Sequence, residues 1–543
     1  MGKKPTRTER DALTHWNVFD GCCIVGRHLK LTEGAPHTPS DLLADMDHHG
    51  VAEALVLDCL ARENHPQEGN ERVLRATGRR PRLHPAWAAL PPGASDDQTE
   101  PEEFVRQMRR RHVGAVFLLP AQYRFRLSDW CIDALAEPLS AAGVPVFVNY
   151  NEVGSGWAGT DSTDWEQVVA LCRRWPTLPV IVSEFRIRRT QRMVYRAFDA
   201  CENLHVELSG YWLYRGIEYI TRRWGSRRLI FGSNWPTFNI GLTLATLTMA
   251  EISDEDKRNV AGDNLRRLVS WCAPKHPGVR PKKPADEFVA AARAGRPARH
   301  FEIWDCHGHL GGRACHYHVP DGSIEETVRE LRRQKVRKVC VFSFAGVFSD
   351  EAYGNDVVAE AVRRYPDRLV GFTLLNPHRG RDAMLRELER CAKLGLRGVK
   401  LIPHYQGYPE DGPLLEVACQ WANERRQIIL NHSWGPAAQV ERLTADYPNA
   451  CFINGHTTMA YAHISKRRSN LYVCTCPLIS VRACEDAVKA IGADKLLFGS
   501  DLQDLPIAWN SGPVLFARIS TAEKRLILAE NLQRILERYS LRP

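Results

Sequence analysis

The 543-residue chain contains no uninterrupted apolar run near the roughly 18 residues that a membrane-crossing helix needs. Its first residues, MGKKPTRTERDALTHW, lack the apolar centre of a secretion signal. The two absences point away from a membrane and toward a cytoplasmic protein. The 16 cysteines include no Cys-x-x-Cys pair of the zinc-ribbon kind. Cys22-Cys23 and Cys474-x-Cys476 lie in or beside apolar runs, where buried free thiols are expected. Cationic patches are missing too: the formal net charge of +9 is modest for this length and is not gathered into an aromatic-interleaved surface, which argues against a nucleic-acid partner. The densest basic run, Lys275 to Lys283, is rich in proline and reads as a solvated linker.

What the chain does have is enough apolar sequence for more than one core. At 44% hydrophobic and 25% charged it has the composition of a soluble globular protein, and its length exceeds one ordinary core. From residue 301 onward, short apolar runs read as strands: EIWDCHGH, KVCVFSF, RLVGFTLL, RGVKLIP, QIILNHS, ACFINGH, NLYVCTC and KLLFGSD. Between them lie segments of helical period such as SIEETVRELRRQ and RDAMLRELERCAKLG. A strand–helix alternation of this kind is the signature of a parallel (β/α)8 barrel.

The N-terminal half repeats the pattern, with NVFDGCCIV, EALVLDC, LHPAWAAL, GAVFLLP, PVFVNY, LPVIVSEF, LHVELSG and RLIFGSN as strands. Word-like matches link the halves: GNERVL with GNDVVA, FGSN with FGSD, DNLRRL with ENLQRI. The offset between matched positions drifts from 285 at Asp20/Asp305 and Asn70/Asn355 to 267 at Asn234/Asp501 and Asn264/Asn531. An old duplication with altered loops leaves such a drift. The predicted architecture is therefore α/β, two tandem (β/α)8 TIM-type barrels: residues 1–272 a degenerate barrel, 273–300 a linker with a short helix over 285–295, and 301–543 an intact barrel.

Chemistry concentrates in the second barrel, around FEIWDCHGHLGG at Phe301–Gly312. On a strand, residues i and i+2 share a face, so His307 and His309 project together. The C-terminal strand ends of a parallel barrel converge on one mouth, where the sequence also places Lys400, His432, His456 and Asp501. Four histidines and an aspartate at these positions form a metal-site constellation. Asp305 reads as a carboxylate capping the loop after strand one.

The pieces DCHGH, GVKLIP, LNHS, NGHTT and FGSD resemble the amidohydrolase superfamily, in the branch that includes metal-dependent hydrolases and aminocarboxymuconate-semialdehyde-type decarboxylases. The resemblance covers the C-terminal half closely and the N-terminal half in fold pattern only. It implies one divalent ion, zinc with manganese or iron as alternatives, held by His307, His309, His432 and Asp501. His456 is then a catalytic acid/base or an orienting residue, and Asp501 both ligates and moves a proton. Such an ion lowers the pKa of water from about 15.7 toward about 7. In other branches a strand-four lysine is carboxylated and bridges two metals. The branch resembled here uses one, so Lys400 is expected to bond a neighbouring carboxylate, with a second-metal role as the alternative. FGSDLQDLP departs from the FGSD-aromatic-Pro pattern of the branch.

Aligned on the same scheme, the first barrel carries Cys22, Ile24, Phe117, Tyr150, Glu184 and Asn234 at the ligand positions, a set unsuited to zinc. A metal-free barrel is expected there, packed on its neighbour as the subunits of a homodimer pack; a homo-oligomer is left open. Loops of the live barrel bring Arg313, His316, His404 and Trp434, with Tyr317 and Tyr405, near the mouth, suiting a small polar, anionic or flat molecule. Three functions follow: hydrolysis of a C–N or C–O bond in an amide, cyclic amide or lactone; non-oxidative decarboxylation of an unsaturated or aromatic acid; or binding and scaffolding without turnover.

Overall fold

Runs of two to eight mostly apolar residues, largely buried on both faces, form the strands, and amphipathic helices shield them from water. A computed structural model describes residues 16–93, 99–153, 162–279 and 282–539. The chain divides into two compact units after Gly295, except that Leu213–Arg215 groups with the second.

In the first unit eight parallel strands follow one another in order: β1 (Phe19–Val25), β2 (Glu53–Asp58), β3 (Leu83–Ala88), β4 (Ala115–Leu118), β5 (Val146–Val148), β6 (Val180–Val182), β7 (Leu204–Glu207) and β8 (Leu229–Ile230). Hydrogen bonds from Gly21 N to Phe231 O (2.9 Å) and from Ile24 N to Trp235 O (2.8 Å) join the last strand region to the first. The interior is filled by side chains such as Leu55, Ala86, Ile181 and Ile230, with Phe117 stacked on Phe147 at 4.7 Å.

The second unit repeats this with β9 (Ile303–Leu310), β10 (Val336–Ser343), β11 (Leu369–Gly371), β12 (Thr373–Leu374), β13 (Gly398–Leu401), β14 (Ile428–Asn431), β15 (Cys451–Asn454), β16 (Leu471–Cys474) and β17 (Leu496–Leu497). Strands β11 and β12 are one barrel strand interrupted at Phe372, whose N–H still donates to Val341 O at 2.9 Å. Closure is again explicit: Cys306 N donates to Phe498 O and His309 N to Leu502 O, both at 2.9 Å. The tandem (β/α)8 expectation is met.

Matched residues do matched work. Asn264 Nδ2 donates to Ser226 O and Leu229 O, each at 2.9 Å; Asn531 Nδ2 donates to Ala493 O (2.7 Å) and Leu496 O (2.9 Å). Asn70 exchanges two hydrogen bonds with the backbone of Ala88, as Asn355 does with Leu374. The first strand of each unit shifts register in the same place, between Asp20 and Cys23 and between Asp305 and Gly308. One equivalence differs from the sequence alignment. His432 N bonds Leu401 O, and the residue that bonds the matching Leu118 O is Asn149, not Tyr150.

The stretch expected as a linker contains a helix, Glu287–Arg293, whose N-cap Asp286 accepts from the N–H groups of Phe288 and Val289. Both of those side chains are fully buried, so the segment packs as part of the first unit. No helix among the described residues is long and apolar enough to cross a membrane.

Candidate metal centre

The HGH segment lies at the end of β9, where the register shift re-aims the chain. Asp305, wholly buried, fixes it: one carboxylate oxygen accepts from His307 N–H and Ser500 N–H, each at 3.0 Å, and the other takes the Ser500 hydroxyl. Burial raises this carboxyl to about 7, with Ser500 pulling the other way. Asp305 was expected to cap the loop after the first strand; through Ser500 it also braces that strand against the segment following the last one. Gly499 allows the approach, since a methyl group there would lie 2.2 Å from Cys474 Sγ and 3.0 Å from His307 Cβ.

His307, His309 and Asp501 come together as a group, their ligand atoms all within 4.8 Å of one another. His309 Nε2 is 2.8 Å from Asp501 Oδ1 and His307 Nε2 is 3.4 Å from the same oxygen. Asp501 occupies a left-handed turn (φ 56°) after β17. Burial works to raise its carboxyl, but His307 and His309 beside it hold it well below the usual carboxylate range.

His432 is not part of that tight group and joins through His456. The His456 Nε2–His432 Nδ1 distance is 2.9 Å, and His456 Nδ1 lies 3.1 Å from Cys476 O. A carbonyl only accepts, so His456 carries its proton on Nδ1, its Nε2 accepts from His432 Nδ1–H, and His432 Nε2 is left as a lone pair. In the same way His307 donates Nδ1–H to Gly455 O at 2.9 Å, leaving its Nε2 as a lone pair. Burial keeps these rings neutral: it takes His456 down to about 4 and holds His307 and His432 well below the ordinary histidine value. Neutral imidazoles, oriented by backbone carbonyls and set around one ionised carboxylate, are the donor set of a divalent cation. The residues fit the divalent ion that the resemblance implied.

Lys400, on β13, is completely buried, and its Nζ has no hydrogen-bond partner among the described residues. It sits 4.4 Å over the ring of Phe342, and burial lowers its ammonium to about 8 while Asp501 works to keep it charged. The neighbouring carboxylate it was expected to bond is therefore felt without a direct hydrogen bond.

The loop residues divide. His404 is exposed and stacks over His432 at 6.0 Å; Tyr405 is 5.7 Å from that ring. His316 rests on Phe348 at 4.9 Å. Arg313 is exposed on the loop after β9, its backbone paired with His318. Trp434 corrects the sequence reading: it is buried in the core against Phe452, its indole N–H donating to Ile453 O at 3.1 Å. Its position just past a strand end gave no sign that the ring turns inward. Sequence reasoning missed Phe342 and Phe344, which pack on His309 at 4.4 and 4.5 Å. Their alternation in KVCVFSF was the available signal. The unusual Gln503 is explained too: its amide bonds Gly312 N, Gly322 O and the Thr327 hydroxyl, pinning the loop that follows β9.

The amidohydrolase family model matches this chain twice, over residues 32–271 and 304–538. No curated protein matches it. Similar solved structures include an uncharacterized TIM-barrel protein from Bordetella bronchiseptica (19% identity, 44% of this chain and 100% of that one, TM-score 0.38). Others are a 2,6-dihydroxybenzoate decarboxylase from Rhizobium (17%, 44% and 98%, 0.35) and a 4-oxalomesaconate hydratase from Rhodopseudomonas palustris (15%, 44% and 96%, 0.34).

Proposed function

The chain belongs to the amidohydrolase family, and from that premise we propose that its C-terminal barrel is a metal-dependent hydrolase of a C–N or C–O bond in a small amide, cyclic amide or lactone. The observation that carries this reading is the single oxygen of Asp501 facing the ring nitrogens of both His307 and His309. His307, His309, His432 and Asp501 would hold the divalent ion, zinc or alternatively manganese or iron. When bound, such an ion supplies Lewis acidity to a carbonyl and makes water more acidic.

The protein's own groups do the rest. Asp501, held ionised, accepts the proton of the attacking water at a carboxylate oxygen and returns it to the leaving nitrogen or oxygen. His456, engaged at both ring nitrogens, acts as a positioning residue that sets the tautomer of His432. Lys400, whose ammonium has no hydrogen-bond partner among the described residues, stabilises negative charge developing on the substrate. The N-terminal barrel, with Cys22, Ile24, Asn149 and Asn234 in place of ligands, does not catalyse this reaction.

Decarboxylation of an unsaturated or aromatic acid is a second reading, favoured by the aromatic wall of Phe342, Phe344, Phe348 and Tyr405 around His309 and His432. A flat substrate suits such a wall, and Lys400 suits its carboxylate. The test is turnover by chelator-treated protein reloaded with zinc, manganese or iron, on a panel of amides, lactones and aromatic acids. Release of acid with amine or alcohol supports hydrolysis; carbon dioxide alone supports the second reading. A fully loaded protein that turns over neither class would leave the scaffold reading.

A further inference from the structure

The N-terminal unit carries a second donor cluster at the opposite end of its barrel from the strand ends that match the candidate metal centre of the second unit. Glu53 opens β2, His84 is the second residue of β3, and His276 lies in the segment that follows the last barrel helix. One oxygen of Glu53, Oε2, is 2.8 Å from His84 Nε2 and 2.7 Å from His276 Nδ1. All three ligand atoms lie within 4.8 Å of one another. Glu53 and His84 are buried, and the side chain of His276 is 32% exposed, so the cluster has a floor and an opening.

From this geometry we propose that Glu53, His84 and His276 form a second divalent-metal site, which ties the chain after the first barrel to the floor of that barrel. The local composition repeats that of the catalytic centre. There, two imidazole nitrogens face one oxygen of Asp501, and the buried cation Lys400 stands nearby. Here, two imidazole nitrogens face one oxygen of Glu53, and Arg266 holds the carboxylate's other oxygen at 2.7 Å. An arginine on the outer oxygen orients a ligand carboxylate without competing for the inner one. The rings are also held in place, with Phe19 against His84 at 5.1 Å and against His276 at 6.0 Å. Two imidazoles and a carboxylate with one side open to water suit zinc with a solvent molecule in the fourth position. The sequence alignment did not reveal this set, because it compared only the strand ends that carry ligands in the second barrel.

The full-length His307→Ala/His309→Ala variant removes the catalytic centre and leaves this cluster alone to bind. After dialysis against zinc it retains about one equivalent per chain, and adding His276→Ala, a change at a partly exposed side chain, abolishes that equivalent. Zinc also slows tryptic cleavage at Lys275 and Lys282 by about tenfold in the double variant and has no such effect in the triple variant. A folded double variant that binds no zinc at tens of micromolar, or a triple variant that keeps its equivalent, overturns the proposal. Because neither readout depends on turnover, the result is independent of which reaction the C-terminal barrel performs.

Discussion

Asn234 and Asp501 occupy the same left-handed turn beyond the last strand of their barrels, at φ 55° and 56°. The backbone demand is identical, and asparagine and aspartate are the side chains that tolerate it best after glycine. One atom separates an amide from the carboxylate that faces His307 and His309. Asp501→Asn should therefore leave the thermal unfolding midpoint nearly unchanged. Turnover should fall by more than the roughly 10- to 100-fold that loss of a mere supporting partner costs. Steady-state kinetics alongside calorimetry checks both halves of the expectation.

His456→Ala separates positioning from chemistry. If the ring's task is to hold His432, its loss weakens metal binding by about 10- to 100-fold, read by competition with a chelator. Activity should recover when excess metal is supplied. A fall in kcat with metal affinity intact would instead give His456 a direct part in proton transfer.

Asn531→Ala leaves the carbonyls of Ala493 and Leu496 buried without their donor. A cost of about 1–3 kcal/mol per stranded group is expected, seen as a lower urea midpoint. Asn264→Ala should do the same to the N-terminal unit, through Ser226 and Leu229.

Glu207, buried at the end of β7, gives the pH dependence a definite sign. Burial raises its carboxyl from 4.5 to about 7, against hydrogen bonds from Ser209 and Ser183 that lower it. The folded state thus binds the proton more tightly than the unfolded chain. Its contribution is complete below about pH 4.5, declines as the pH rises toward 7, and is gone above that. Glu207→Gln keeps the shape and removes the titration. Relative to wild type the variant should gain stability from pH 4.5 to 8, on the order of 3 kcal/mol, measured by denaturant titration at each pH. A difference between the two proteins that does not vary with pH would contradict this.

Much of this was legible in the sequence because it rests on local pattern. Alternating strands and helices gave the barrels, and repeated words such as DNLRRL and ENLQRI gave the duplication, since Asn264 and Asn531 are bound to the same hydrogen-bonding task. His307 and His309 were legible because two-residue spacing on a strand dictates a shared face. Side-chain direction beyond the strands was not. Nothing in LNHSW shows that Trp434 turns into the core while His432 does not, and the relay through His456 depends on a carbonyl twenty residues away. Glu53, His84 and His276 are brought together by the closed barrel and its trailing segment, a relation that no window of sequence contains.

The measurement that bears most directly on the metal centre is metal content per chain in wild type and in His307→Ala/His309→Ala, purified without chelator and compared side by side. The account predicts that the variant holds about one equivalent fewer than wild type and has lost turnover while its circular dichroism is unchanged. Equal metal content in the two proteins, with wild type active, would contradict it, because the reaction would then not depend on an ion held by His307 and His309.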